Sequence, residues 1–584
     1  VNTLTIGHET PVSIKTNRTL SGAINVTAGS LKLDKTGTLA SNVAMTGGTL
    51  DADETSTLSG TLTHSGDITI DVATGKSLTY SGTGISVGAH TITLTGGGNF
   101  ASGGITLNNA QSKLVLNPIT LDIASTSSNS LGLDVDANST IAALAVGHIT
   151  PLSIAAGTSL DGAITLSAGS IKLNETGTLA STVTMTGGTL DVDETSTLSG
   201  ALTQSGNITI DVLTDKTLTY SGAALNLGAN ILTLSGGGTL SNTNALVLNN
   251  ADSLLSLSGI TTMGDIDGTA ASNQNKGVSV TSSATMGDYD LSGVSYLSIG
   301  GAGVTLAGQL NLNPGGEMIT SGEGKYTGDI ELAGGTFNAA DSLTLDGTVS
   351  ITADSEIKVA DTLTLSQAGG LALGANTLTL SGGGSLSSEV MTLDNANSKL
   401  LLDGITLNKA VTTANSSGLD VDANSTVTAF EVGHTTPVSI AQGVTLSGGV
   451  DVSAGSIKLN ETGTLASTIA MSGGILDADK TATVSGTLTH SADITIDVAA
   501  GKSLTYSGTA IGVGANTITL TGGGTFTSGG IVLNNAASKL VLNPITLDSA
   551  STSIASEGID VDANSTVNTL TIGHETPVSI KTNR

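Results

Sequence analysis

The sequence predicts an all-β chain: a β-solenoid, or β-helix, of about 19–20-residue coils stacked into a rod. Three observations carry this reading: a short repeat, an alternation of aliphatic and polar residues within it, and a near absence of aromatics. Thr19 to Gly37 reads TLSGAINVTAGSLKLDKTG, Thr38 to Ser56 reads TLASNVAMTGGTLDADETS and Thr57 to Gly75 reads TLSGTLTHSGDITIDVATG, 19 residues each. Each unit holds two or three alternating stretches, such as AINV, SLKL and ITIDV, broken by Gly, Asn or Ser-Gly turns. Strand side chains alternate faces, so Leu31 and Leu33 are expected inside and Lys32 outside. A unit this short cannot bury its own apolar face. Stacked on its neighbours it can, each strand pairing with its equivalent one coil on.

Composition agrees. Aromatics make up 2% of the chain, Trp and Cys are absent, and hydrophobic residues reach 38%. Leu, Ile, Val and Ala interleaved with Thr and Ser suit pleated strands, and the 78 glycines and missing 3.6-residue period argue against helices. Without cysteines, stability rests on ladders and burial alone. The formal net charge of −29 disfavours nucleic acid and anionic membranes as partners. No apolar run reaches the length of a membrane span. The chain opens at Val1 with no export signal in view, so it reads as an excerpt from a longer, exported protein.

Larger repeats enclose the small one. Val567 to Arg584 is identical to Val1 to Arg18, a period of 566 residues. Within it, GHxTP recurs at Gly7, Gly147, Gly433 and Gly573, and the segment ending in a triple glycine starts at Gly88, Gly228, Gly374 and Gly514. The expected organisation is four solenoid modules, 1–140, 141–286, 287–426 and 427–566, with 567–584 opening the next tandem copy. The second module carries a short insertion around Ala270 to Gly277 at its border with the third. The third is divergent: it lacks GHxTP and holds Tyr289, Tyr296 and Tyr326, three of the six tyrosines. At roughly 4.8 Å per rung, about 28 coils would span on the order of 135 Å.

The GGTL, TLSG and LTLSGGG phrases resemble the Gly-Thr-Leu-Ser repeats of large bacterial surface proteins, autotransporter passengers and filamentous-haemagglutinin-like adhesins. That resemblance implies an exported β-helix at the cell surface, serving as adhesin, stalk or filament. No outer-membrane barrel or secretion cap accompanies it here, so the export route stays open.

His8, His148, His434 and His574 occupy equivalent places in GHxTP, about seven coils or roughly 34 Å apart between neighbouring modules, too far to share a metal. His64 and His490 are replaced by Gln204, and His90 by Asn230 and Asn376, swaps that suit polar turns. GLDVDANST at Gly132 and Gly418 and GIDVDANST at Gly558 supply the candidate calcium ligands Asp134, Asp136, Asp420, Asp422, Asp560 and Asp562. Against calcium, alternation puts both aspartates of each pair outside, on a solvated strand face. Lys32, Asp51 and Asp71 should stack as an outer column, repeated as Lys172, Asp191, Asp211 and as Lys458, Asp477, Asp497. Asn108, Asn249, Asp394 and Asn534 mark one corner per module, where Asn tolerates a left-handed turn and where stacked Asn side chains can also hydrogen-bond along the axis. The triple glycines lack a P-loop lysine and a following helix, so they read as corners.

Three function classes follow. Uniform repeats without a unique pocket favour a structural extracellular fibre, sheath or stalk, stacking with copies of itself in the same chain or between chains. The alternative is an adhesin binding a cell-surface glycan or protein through the divergent third module. A polysaccharide-processing enzyme would need paired carboxylates in a groove and aromatic platforms. The reading is therefore non-catalytic and free of cofactors other than the calcium candidates.

Overall fold

Alternation sets every coil. In the strand Ser30–Leu33, Leu31 and Leu33 are buried while Ser30 and Lys32 reach the surface, and Thr49–Ala52 and Ile68–Val72 repeat the pattern. The structure, a computed structural model, describes residues 2–268 and 275–582. Among them there is no helix, and parallel strands stack into a β-solenoid of about 29 turns of roughly 20 residues each. The expected fold class holds.

The chain divides into two compact units, Val1–Tyr289 and Asp290–Arg584, and the division lies close to the expected border between the second and third modules. In the first unit a typical coil contributes three strands, for example Thr38–Leu39, Asn42–Met45 and Thr49–Ala52. Each pairs in parallel with its equivalent one coil on, as in Leu39 with Leu58, Val43 with Leu62 and Leu50 with Ile70. Elsewhere the first two strands fuse, as in Ser159–Leu166, where the chain bends at Gly162 (φ +120°). The second unit is built alike: Thr464–Leu465, Thr468–Met471 and Ile475–Ala478 make one coil, and Thr445–Val452 is a fused strand.

Stacking makes continuous aliphatic columns. One runs Leu31, Leu50, Ile70, Leu94, Leu116, Val135 and Ile154, each directly above the last. All seven are buried. Full burial of such a side chain is worth about 1.5–3 kcal/mol, so the column substitutes for a globular core.

Glycine shapes the corners where two coils touch backbone to backbone. At Gly96 (φ +97°) an added Cβ would lie 2.0 Å from Asp71 Oδ1 and 2.4 Å from the Val72 carbonyl oxygen. The triple-glycine corners, read from the sequence only as corners, are therefore also close approaches. At the asparagine corners the left-handed conformation is corrected, while hydrogen bonding by the side chains between coils is present. The only described non-glycine residues with positive φ are Asn17, Asp215 and Thr362, so Asn108, Asn249 and Asn534 do not adopt the left-handed conformation. They act through side chains instead: Asn108 Oδ1 accepts the Gly88 amide at 2.8 Å, Asn249 the Gly228 amide at 2.9 Å and Asn534 the Gly514 amide at 2.7 Å. Asp394 does the same for Gly374 at 2.9 Å. Each ties its corner to the coil before it.

Three tyrosines close the interior. Tyr80, Tyr220 and Tyr506 are buried, and their hydroxyls accept the amides of Leu62, Leu202 and Leu488 at 3.1, 3.1 and 3.0 Å. Gln367 takes this place in the third module, standing above Leu345 as Tyr80 stands above Leu58. It leaves a cavity of about 10 Å³ lined by Phe337, Leu345, Val349 and Leu365, and its buried Oε1 has no hydrogen-bond partner among the described residues. Gly369, two residues on, keeps the space that Gly82 gives Tyr80. Gln367→Tyr is expected to stabilise the chain by about 1–2 kcal/mol, by filling the void and removing an unmatched acceptor. A higher thermal midpoint than the parent checks it. A lower one would mean the third module closes its coil by different packing.

Candidate functional site

The outer wall is where charge and recurring motifs collect, so the candidate site is built from that wall. Lys32 lies directly beneath Asp51, and Asp51 beneath Asp71. The Lys32 ammonium is 3.3 Å from Asp51 and 3.0 Å from Asp53, so one lysine serves two carboxylates of the next coil. Lys172 repeats this with Asp191 and Asp193 at 3.1 and 3.0 Å, and Lys458 with Asp477 and Asp479 at 3.4 and 3.1 Å. The expected column is present in all three modules. The neighbouring carboxylates hold these lysines above their ordinary range.

The aspartates behave differently. Burial, more than any other cause, pushes up the carboxyls of Asp51, Asp191, Asp477 and Asp497. Asp497 also buries Oδ1 without a hydrogen-bond partner among the described residues. A carboxyl raised in the folded state binds its proton more readily there than in the unfolded chain. Its ionisation at neutral pH therefore opposes folding, and acidification through the raised value removes that opposition. Asp497→Asn is expected to raise the thermal midpoint at pH 7, with the gap to the parent narrowing on acidification towards pH 4. A substitution that lowers the midpoint at pH 7 would contradict this reading.

The DVDANST segments form a corner cassette. Val135 and Val421 point inward, and Asp134 lies on the outer wall of its strand Gly132–Val135. Asp134 is paired to Lys113 of the preceding coil at 2.5 Å, Asp420 to Lys399 at 2.7 Å and Asp560 to Lys539 at 2.9 Å. A lysine ammonium thus stands against the first candidate calcium ligand in every copy. Asp136 and Asp422 are exposed, and Asp562 pairs with Lys581 at 2.7 Å. Among the described residues no three His, Cys, Asp or Glu side chains are grouped to hold a metal ion. The remaining residues of the cassette bind backbone. Ser139 Oγ accepts the Ile119 amide at 3.2 Å and donates to the Ala137 carbonyl, while Asn138 Oδ1 accepts the Ser159 amide at 2.9 Å. Ser425 and Asn424 repeat the arrangement with Ile405 and Thr445. One motif therefore fastens its corner to the coil below and to the coil above.

The glycine that opens the cassette answers the proline of GHxTP. Gly132 (φ +86°) sits under Pro151, and a Cβ on it would lie 1.9 Å from the proline carbonyl oxygen. Gly418 under Pro437 and Gly558 under Pro577 are the same, at 2.0 Å. The four GHxTP histidines are exposed, and the following threonine hydroxyls donate to their carbonyls, at 3.0 Å for Thr150 and Thr436. His64 places Nδ1 3.1 Å from the Gly66 carbonyl oxygen and Nε2 2.9 Å from that of Ser86, and His490 does likewise with Ala492 and Gly512. Gln204 keeps one such tie, donating Nε2 to the Leu227 carbonyl at 2.9 Å. These are corner ties, as the Gln replacement suggested.

The third module offers less aromatic surface than its sequence implied. Tyr289 and Tyr326 are buried core residues, and only Tyr296 reaches the surface, 36% exposed. The insertion around Ala270 to Gly277 lies outside the described residues up to position 274. Sequence reasoning also missed an outward threonine column: Thr445, Thr464, Thr483, Thr505 and Thr527 stand one above another. The recurring TL phrase was its signal.

No protein-family model, no curated protein and no solved structure matches the chain. Its role is therefore argued from the wall and corners just described. No helix among the described residues is long and apolar enough to cross a membrane.

Proposed function

We propose that this chain is a structural segment of an extracellular fibre, sheath or stalk at a cell surface, built by stacking β-solenoid periods. The observation that carries the reading is the periodicity of the outer surface. The Lys32, Lys172 and Lys458 clusters and the cassettes at Asp134, Asp420 and Asp560 repeat the same partners at closely similar distances. A surface whose charge clusters recur in the first, second and fourth modules and whose cassettes close the first, third and fourth suits reach and repeated exposure. A recognition site would need one place unlike the others, and the divergent third module is the place where the adhesin alternative puts it. The charged wall fits this role, because half-buried Lys–Asp columns discourage slipped or edge-to-edge pairing between neighbouring solenoids.

The adhesin alternative would rest on Tyr296 and the border of the second and third modules. Truncating that border and measuring attachment to cells or glycans separates the two: lost attachment supports an adhesin, and unchanged attachment supports the fibre. The direct test of the fibre is negative-stain microscopy of the purified protein. Thin rods of constant width, lengthening in proportion to the number of 566-residue periods, are expected. Compact particles would overturn the proposal.

A further inference from the structure

Glycine bends the chain at one repeated place, between the first and second strands of a coil. Gly22, Gly162, Gly308 and Gly448 have φ of +131°, +120°, +137° and +115°, each two residues past a buried or half-buried leucine. No side chain fits there: a Cβ on Gly162 would lie 1.8 Å from the Ile141 carbonyl oxygen. The residue before the bend is Ser21, Asp161, Ala307 or Ser447. Asp161 alone among these carries a carboxyl.

Asp161 is exposed, and its Oδ1 accepts the amide of its own next residue, Gly162, at 2.7 Å. That contact sets the carboxyl carbon beside the amide nitrogen, the approach from which a five-membered ring closes. Below, Asp161 pairs with Thr140. Above, the next coil pairs with Ser159–Leu160 and with Ala163–Leu166, stepping over Asp161 and Gly162. Asp122, Asp341 and Asp361 make the same contact with their next amides, at 2.7, 2.8 and 2.9 Å. Ile123, Ser342 and Thr362 follow them, and a Cβ crowds the ring. Elsewhere glycine follows aspartate under other ties. Asp346 is held by Lys325 at 2.9 Å, and after Asp403 the Gly404 amide donates to Ser425 Oγ at 3.1 Å. Asp161–Gly162 combines the contact with the glycine.

We infer that Asp161–Gly162 is a site of spontaneous isoaspartate formation, where the peptide bond moves from the main-chain carbonyl carbon to Cγ. The Gly162 nitrogen attacks Cγ of the protonated carboxyl. An N–C bond forms, and the carboxyl hydroxyl leaves with the amide proton as water. A second water then opens the ring. At Cγ it restores aspartate; at the main-chain carbonyl carbon it breaks the bond to nitrogen and leaves the chain running through Cβ and Cγ. One water is lost and one is gained, with nothing oxidised or reduced. The product has one more main-chain carbon at the bend, and the flanking pairs Ser159–Thr178 and Ala163–Thr182 must absorb the added length. The site stands whether the rod is a fibre or an adhesin.

The test incubates the full chain in mildly acidic oxygen-18 water, followed by trypsin digestion in ordinary water. One tryptic peptide, Leu114–Lys172, holds both Asp122–Ile123 and Asp161–Gly162. Electron-transfer fragmentation locates the added main-chain carbon. Isoaspartate carrying one heavy oxygen is expected at Asp161 and not at Asp122, accumulating faster in the folded chain than in the same peptide incubated free. Conversion in the free peptide but not in the folded chain would overturn the site, because the fold would then protect the pair. Equal conversion at Asp122 and Asp161 would overturn it as well. Asp161→Ser, which copies Ser21 and Ser447, should abolish the signal. Asp161→Asn reaches the same ring more readily, with ammonia leaving in place of water. A folded Asp161→Asn chain that stays unconverted would also sink the inference.

Discussion

Gly132→Ala is expected to destabilise its coil by at least about 3 kcal/mol, whereas Gly157→Ala, in the same unit, costs only about 1 kcal/mol. Both glycines have positive φ, +86° and +77°. They differ in what a side chain would meet. At Gly132 a Cβ would fall 1.9 Å from the Pro151 carbonyl oxygen; at Gly157 nothing lies within 4 Å. The pair separates the backbone cost, common to both, from the steric cost, present in one. Backbone atoms cannot swing aside, so relief at Gly132 requires the two coils to part. Hydrogen exchange is the suitable readout, because long repeat arrays need not unfold in one step. Amides of the strands Gly132–Val135 and Thr150–Ile154 should lose protection in Gly132→Ala and keep it in Gly157→Ala. Equal effects at the two sites would remove the proline–glycine contact from the account.

Leu94→Ala should cost about 2–5 kcal/mol, the range for deleting a buried leucine where the surroundings relax only partly. Leu94 is 0% exposed and stands between Ile70 and Leu116. In a solenoid each coil touches only its neighbours, so the loss should concentrate in the coils directly below and above. Thr93, the outward neighbour, is the control: Thr93→Ala is expected within about 0.5 kcal/mol of the parent. Exchange rates measured coil by coil would show protection falling at Ile68–Val72 and Lys113–Asn117 and unchanged at Ser170–Leu173. A uniform loss across the whole unit would instead indicate a single cooperative core.

Much of this was legible before any coordinates. The alternation in SLKL placed Leu31 and Leu33 inside, and the 19-residue phase put Lys32 beneath Asp51, because both signals are local or strictly periodic. What escaped was contact between residues with no shared pattern. Nothing in GLDVDANST announces that its glycine lies under a proline about nineteen residues later; only stacking brings them together. At the asparagine corners both a left-handed φ and a side-chain hydrogen bond between coils were readable, because Asn serves turns in two ways, through φ and through its side chain. Composition cannot choose between them, and Asn108 and its equivalents take the second. Gln367 was overlooked because the third module has one residue fewer between this position and its Gly-Ala-Asn turn, which shifts Gln367 out of line with Tyr80. Tyr289 and Tyr326, attractive as surface aromatics, fill the interior for the same reason Tyr80 does.

The central claim is that equivalent strands of successive coils pair in parallel and in register along a stacking axis. High-resolution cryo-electron microscopy of the purified chain measures this directly. Strands running across that axis, with a regular spacing of about 4.8 Å along it and no helical density, are the expected result. Antiparallel hairpins folded into separate sandwiches would contradict it.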